Sequence, residues 1–426
     1  MWKQHAERLN YFSLCLLACF PLAGMKATVI LIIAFSFLSV VAAMLQENPW
    51  TGMRRFRELW LLLIPFLLIF IRTFVTDRSE TALFYLEVSL SLLAFPLAFY
   101  FSPVRFTEQR RLTVQRIFTI STLVITLYGL VRAGMRFSKY IGNHKFWPTH
   151  ADMLSDKVFP YYVRTLSEEY TGIHPTHSCI FLGISALFML YHMFNKSASL
   201  TRTRKILHVA LIALILLLQA LLASRTPFIA TMAAGILIFV LNSTKKIYAL
   251  YALGSIILLS LALWFMVPSF SARFSEISFT NTSLPTDSSE NSFNIRTGIY
   301  LCSMRVIENH WIWGIGPGQV QSALNECYNT ISPEVYANKN YNTHNQFLDY
   351  WAGLGILGPI SLLSIMVYTS VRNFREGNLL VPSVSLFFTI AFMTENLLSR
   401  QNGIVCFAFL TCWYFFSQNG RSTNIK

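Results

Sequence analysis

The sequence predicts an all-α polytopic membrane protein with about twelve transmembrane helices and one large polar loop between the ninth and tenth. Three observations carry that reading. Only 13% of the 426 residues are charged while 54% are hydrophobic, too little charge to cover the surface of a soluble protein of this length. Apolar runs long enough to cross ~30 Å of hydrocarbon recur along the whole chain. Between Pro268 and Thr343 the pattern stops for the longest polar stretch in the sequence.

In order, the predicted spans are 9–25, 27–46, 59–76, 81–101, 113–134, 173–194, 206–223, 227–242, 247–267, 344–371, 379–397 and 401–418. Gly, Pro or charged residues mark each junction. The organisation is therefore residues 1–267 with nine spans and an outer loop at about 135–172, a large loop at 268–343, and residues 344–426 with three spans and a short tail. The first apolar stretch runs straight into further spans, so no cleavable signal peptide is needed to explain the N-terminus. No internal repeat stands out.

The net charge of +14 would suggest nucleic acid in a soluble protein, but the positive-inside rule accounts for it in a membrane chain. One set of connections holds Arg54, Arg55, Arg57, Arg105, Arg110, Arg111 and Arg116. Lys196, Arg202, Arg204, Lys205, Lys245, Lys246, Arg372 and Arg375 belong to the same set. The opposite short connections hold only Lys26, Arg72, Arg78, Arg225 and Arg400. The richer side, with both termini, is assigned to the cytoplasm, and the two long loops then face outward.

On that outer side Arg225 sits in Ser224-Arg225-Thr226-Pro227, where Pro227 suits a first helical position and Ser224 or Thr226 a cap. Free N–H groups beside a guanidinium bind anions. An interfacial anchor snorkelling to headgroups is the other reading of the same Arg. From Ile295 a helix is predicted, because Ile295, Ile299, Cys302 and Val306 keep helical spacing; Arg296 falls in its first turn, where a cation opposes the dipole. It holds an anion there, or it is a solvated surface charge. Gly314-Ile315-Gly316-Pro317-Gly318 after Trp311 and Trp313 lacks the Lys-Ser/Thr ending of a phosphate loop and reads as a tight interfacial turn.

His344 begins the tenth span on the outer side, where a neutral imidazole can take a proton at the lipid–water boundary. Asp349, about 140° around a helix from it, is poorly placed to orient the ring. Glu87 is read as the most deeply placed acid, a candidate for a polar pathway. In 135–172, His144, Trp147, His150, Tyr161 and Tyr162 suit sugar stacking or the ordinary aromatic belt, with His174 and His177 opening the next span. Histidines there without Cys or a HExxH pattern give little support for a metal. Cys302 and Cys327 pair if their loop meets an oxidising compartment, or remain two thiols.

Taken together, these pieces resemble the O-antigen ligase and O-antigen polymerase superfamily of bacterial envelope polysaccharide assembly over roughly residues 206–415. The resemblance lies in Ser224-Arg225-Thr226-Pro227, in Asn294-Ile295-Arg296-Thr297-Gly298-Ile299-Tyr300, and in the glycine turn from Gly314 to Gly318. It continues in Thr343-His344-Asn345-Gln346-Phe347-Leu348 and Gly353-Leu354-Gly355-Ile356-Leu357-Gly358. Relatives often carry a glutamate where this chain has Ala352, so no role transfers there.

The resemblance implies a metal-independent, inverting glycosyltransferase of the inner (cytoplasmic) membrane without cofactor, its large loop periplasmic. Its donor is a glycan on undecaprenyl diphosphate; its acceptor is lipid A-core for a ligase, or a second lipid-linked glycan for a polymerase. His344 is the candidate base, with Arg225 and Arg296 holding the departing diphosphate. Partners are then lipid-linked glycans and membrane lipids, not nucleic acid. The compact chain and single dominant loop favour the ligase. A lipid-glycan transporter is the reading from another class, but transporters place substrate groups near the midplane, often with repeat symmetry.

Overall fold

A computed structural model describes residues 2–45, 56–76, 78–104, 106–142, 158–194, 201–242, 254, 258, 261–267, 271, 284–285, 292–336 and 339–416. Most of the predicted span 247–267, the polar segment 278–291 apart from 284–285, and His144, Trp147 and His150 lie outside the described residues. Within them the chain is helical, without a strand.

Helix α1 (Trp2–Leu17) and α2 (Phe20–Met44) form a hairpin. Gly24, at φ 68° and ψ 168°, interrupts α2 near the end of the first predicted span. Buried Asn10 donates to Ser39 Oγ at 2.8 Å and accepts from Ser102 Oγ at 2.6 Å, as a polar group away from water must be paired. Helix α3 (Phe56–Thr76) leads through Ser79, which caps α4 (Glu80–Ser89) by accepting from Ala82 N, to α5 (Ser91–Phe101). Glu87 is exposed on the perimeter of α4 rather than deep in the bundle.

Of the outer loop predicted at 135–172, the described residues are instead largely helical. Helix α6 (Glu108–Gly142) runs 35 residues, about 50 Å at 1.5 Å per residue, well beyond a membrane thickness. No proline interrupts it before Pro148. Helix α7 (Val158–Thr171) lies against that extension, with Arg136 Nη1 2.6 Å from Glu169 Oε1 and Arg132 over the Tyr170 ring.

Helix α8 (Pro175–Phe194) is the central post: every residue from Pro175 to Met189 is buried. Around it pack α9 (Arg202–Leu221) and α10 (Arg225–Asn242). Gln219 of α9 ties all three by donating to Cys179 O at 2.7 Å and Thr231 Oγ1 at 3.0 Å. The large loop contains α11 (Ser292–His310), α12 (Val320–Ile331) and α13 (Pro333–Tyr336). Ile299, Cys302, Val306, Leu324, Tyr328 and Tyr336 give these helices a small core of their own, and a Cys302–Cys327 disulfide joins α11 to α12. Helix α11 begins at Ser292, three residues before the predicted start, so Arg296 falls beyond its first turn.

The tenth span is broken. Helix α14 (Gln346–Leu354) ends at Gly355, φ 72°, and α15 (Leu357–Arg375) resumes after it. Helices α16 (Leu380–Phe392, 13 residues) and α17 (Gln401–Phe416, 16 residues) are short, joined by 393–400 with a 3-10 turn at Leu397–Ser399. Phenylalanines fill the space between α8, α16 and α17, as in the Phe388–Phe407 pair at 5.3 Å. Because lipid offers no hydrophobic drive for such packing, close van der Waals contact holds it. Arg110 bonds Glu7 at 2.6 Å and Gln115 bonds Tyr414 at 3.3 Å, so α1 starts and α17 ends at one end of the bundle.

Candidate functional site

At the other end the connection 393–400 gathers several elements. Thr394 Oγ1 donates to Thr226 Oγ1 at 2.8 Å, which sets the connection on the first turn of α10. Asn396 Nδ2 donates to Thr343 Oγ1 at 2.9 Å, and Leu398 N donates to Gln346 Oε1 at 2.7 Å. Those two bonds clamp the start of α14. Ser224 Oγ donates to Thr176 Oγ1 at 3.3 Å, drawing in the start of α8. Helices α8, α10, α14 and α17 thus all begin here, so the positive ends of four helix dipoles meet at this end of the bundle.

His344 is not on a helix. It stands at φ 44°, a left-handed conformation uncommon outside glycine and a form of local strain seen at functional sites. Two asparagines hold it there. Asn342 Oδ1 accepts from His344 N at 2.9 Å, and Asn345 caps α14 by accepting from Phe347 N and Leu348 N at 2.9 and 3.2 Å. The predicted helical relation between His344 and Asp349 therefore does not exist. Asp349 is buried and turns to Ser399 Oγ, 3.4 Å away.

The carboxylate that faces His344 is Glu395. Its Oε2 lies 3.8 Å from His344 Nδ1 and its Oε1 lies 3.5 Å from Arg296 Nη2. At 3.8 Å the His344 contact is longer than a formed hydrogen bond, the looser geometry expected before a substrate closes the site. Burial pushes the Glu395 carboxyl up, but the His344 and Arg296 side chains, with His174 beyond, outweigh it and leave the pKa below the ordinary carboxylate value. Arg296 is steadied through its helix: Tyr336 OH donates to Ile295 O at 2.8 Å and Tyr300 OH to Met393 O at 3.4 Å.

Arg225, partly exposed, opens α10 one residue before Thr226. Ser224 and Thr226 flank it and both are fixed to neighbouring elements; Pro227, expected as the first helical residue, is the third, because the helix starts at Arg225. Ala223, just before, has φ 50°, and its carbonyl accepts from Arg164 Nη1 at 3.0 Å. Burial lowers the His174 pKa from its ordinary value; Glu168 opposes that shift, while Arg164 and Arg400 reinforce it.

The glycine turn supports this cluster from behind. Ile315 N and Gly316 N donate to Ala352 O and Gly353 O at 2.8 and 3.0 Å, and Ile356 N donates to Trp311 O at 2.9 Å. Arg72 Nη2 donates to Gly314 O at 2.8 Å. Gly314 stands at φ 68° with the 353–355 backbone against its α-carbon, so a side chain has neither room nor conformation there.

Sequence reasoning singled out His344, Arg296 and Arg225, and the structure puts the first two on one carboxylate and the third beside the segment that carries it. It overlooked Glu395, with its neighbours Thr394 and Asn396. The signal was an acid at the outer end of an apolar span, which is a functional candidate by default; Glu87 drew that reading instead. Among the described residues no group of three His, Cys, Asp or Glu side chains is arranged to hold a metal.

Residues 209–363 match the family model described as O-Antigen ligase. The match takes in Arg225, Arg296, His344 and both glycine stretches, and ends before Glu395. No curated protein matches the chain. The matched segment, a little over a third of the chain, lies in an all-α polytopic membrane bundle and is similar to the O-antigen ligase family, a family of membrane glycan assembly.

Proposed function

We propose that the protein transfers a glycan from a polyprenyl-diphosphate donor to an acceptor hydroxyl at the His344 end of the bundle, as an O-antigen ligase joining polysaccharide to lipid A-core. The observation that carries the reading is Glu395 held between His344 and Arg296, beside the α10 start that bears Arg225.

In this mechanism His344 takes the proton of the acceptor hydroxyl as its oxygen attacks the anomeric carbon. The bond from that carbon to the diphosphate breaks, and the configuration inverts. Glu395 orients the imidazole and balances the imidazolium that forms. Arg296 turns from Glu395 to the departing diphosphate, where Arg225 and the positive end of the α10 dipole share the charge. Guanidiniums supply positive charge without a metal, so the reaction proceeds in EDTA.

The test uses purified protein in lipid with a polyprenyl-diphosphate glycan, offered lipid A-core or a second lipid-linked repeat unit in separate reactions. Transfer to lipid A-core is the expected result. Growth on the repeat unit instead makes the protein a polymerase with the same donor chemistry. Movement of labelled donor across the bilayer without covalent transfer makes it a transporter and ends the proposal.

A further inference from the structure

We propose that a trough between α3 and α15, at the end of the bundle away from His344, binds one ethanolamine phospholipid through both charges of its headgroup. The trough encloses about 910 Å³. Its apolar walls are Leu61 of α3 and Ile360, Leu363, Val367 and Val371 of α15. These α15 positions advance in steps of three and four, so they share one face, and they extend about 17 Å along the helix. All four are exposed, Val367 at 58%. In a chain that spans a membrane, such a face is covered by hydrocarbon.

What distinguishes the trough from ordinary lipid-facing surface is its polar end. Arg372 Nη1 donates to Glu58 Oε1 at 2.6 Å, and its Nε lies 3.5 Å from Glu376 Oε1. Tyr368 OH donates to Glu58 Oε1 at 3.3 Å, and the Arg372 guanidinium sits 5.3 Å from the Phe415 ring centre. One guanidinium therefore serves two carboxylates. Arg375, which also lines the trough, is exposed without an ionic or hydrogen-bonding partner among the described residues. Glu58 Oε2 is likewise without a hydrogen-bond partner. The trough's end thus offers one unpaired cation and an excess of carboxylate beside it.

A headgroup that answers both is a phosphate carrying a primary ammonium. The phosphate meets Arg375 and the ammonium N–H groups meet Glu58 and Glu376. A choline headgroup has no N–H to donate, and a glycerol headgroup brings no positive charge. The acyl chain then lies along the Leu61, Ile360, Leu363 and Val367 wall.

Delipidated full-length protein in detergent is titrated with dioleoyl phosphatidylethanolamine, phosphatidylcholine or phosphatidylglycerol, and bound lipid is read by native mass spectrometry. One phosphatidylethanolamine is retained, roughly tenfold tighter than the other two, a difference on the scale of one charge-assisted hydrogen bond. Val367→Trp, which fills the trough, and Arg375→Gln each weaken that binding about tenfold, while Glu58→Gln removes the preference for ethanolamine over choline. Val367 and Arg375 are exposed, so both variants fold, and thermal unfolding confirms it. Equal binding of the three lipids to the wild type overturns the proposal. So does wild-type retention in Val367→Trp and Arg375→Gln, or an undiminished ethanolamine preference in Glu58→Gln.

Discussion

Replacing Glu395 with Gln keeps the shape of the side chain and removes the charge that His344 and Arg296 share. Transfer is expected to fall at least roughly tenfold with insertion intact, while His344→Ala loses about 10²–10⁴-fold. Arg296→Ala loses about 10²–10³-fold, the scale of one removed transition-state donor. Near-wild-type rates in all of these, measured on the same lipid-linked donor, dismiss the roles. Glu395 also makes stability depend on acid. Its pKa is lowered in the fold, so its contribution is complete above the unfolded carboxylate value near 4 and disappears as pH falls through the lower folded one. Thermal unfolding of the wild type at successively lower pH is expected to show that loss, and Glu395→Gln to lack the contribution at neutral pH already. A matching acid profile in the two proteins refutes the coupling. Sequence alone named His344 and Arg296 because each sits in a local pattern. It missed their common partner because a contact between residue 344 and residue 395 is made by the folding of α16 against α10, and no spacing along the chain records it.

Helix breaks and cross-links set the position of these residues. Gly355→Ala is expected to destabilise by about 1–3 kcal/mol, since alanine at a positive φ is strained and the added carbon meets the Ile312 carbonyl. A larger drop in unfolding temperature than in a Gly377→Ala control, which carries the same positive-φ strain but sits in open space, separates close packing from backbone strain. The disulfide closes a 25-residue separation in the lobe that carries Arg296, worth about 3 kcal/mol in loop entropy. Cys302 and Cys327 should therefore react with maleimide only after reduction, and Cys302→Ser should lower the lobe's stability. Labelling without reductant shows two thiols instead. The helical spacing of Ile299, Cys302 and Val306 was legible because an apolar stripe reports burial directly. The α6 extension was not, since polar residues continue a helix as readily as they end it when no Pro intervenes, and a single glycine such as Gly134 is tolerated inside it.

For the whole molecule, fold class followed from composition alone: a chain this poor in charge and this rich in long apolar runs has few ways to satisfy its backbone outside a helical membrane bundle. Span count and limits were less legible, because α4 with α5 and α14 with α15 are pieces that only tertiary packing joins. The bundle places the 339–345 segment and the 376–379 connection at opposite ends. A membrane-impermeant maleimide applied to intact cells with the outer membrane permeabilised is expected to label Asn340→Cys and spare Asn378→Cys. The reverse pattern inverts the assigned orientation.

The brevity of α16 and α17 decides where the reactive groups stand in the bilayer. At 13 and 16 residues they rise about 20 and 24 Å, against ~30 Å of hydrocarbon. Their other shared end lies beside the charged Arg372 and Arg375, which favour the water interface, so the shortfall falls at the tip that carries Glu395. On that count the tip is a floor set below the headgroups. In the proposed reaction a polyprenyl donor would reach that floor sideways without its tail leaving hydrocarbon, whereas the acceptor sugar would descend to it from water. The depth of the floor, more than any single side chain, would then sort a membrane-anchored nucleophile from the soluble hydroxyls, water included, that crowd the surface above.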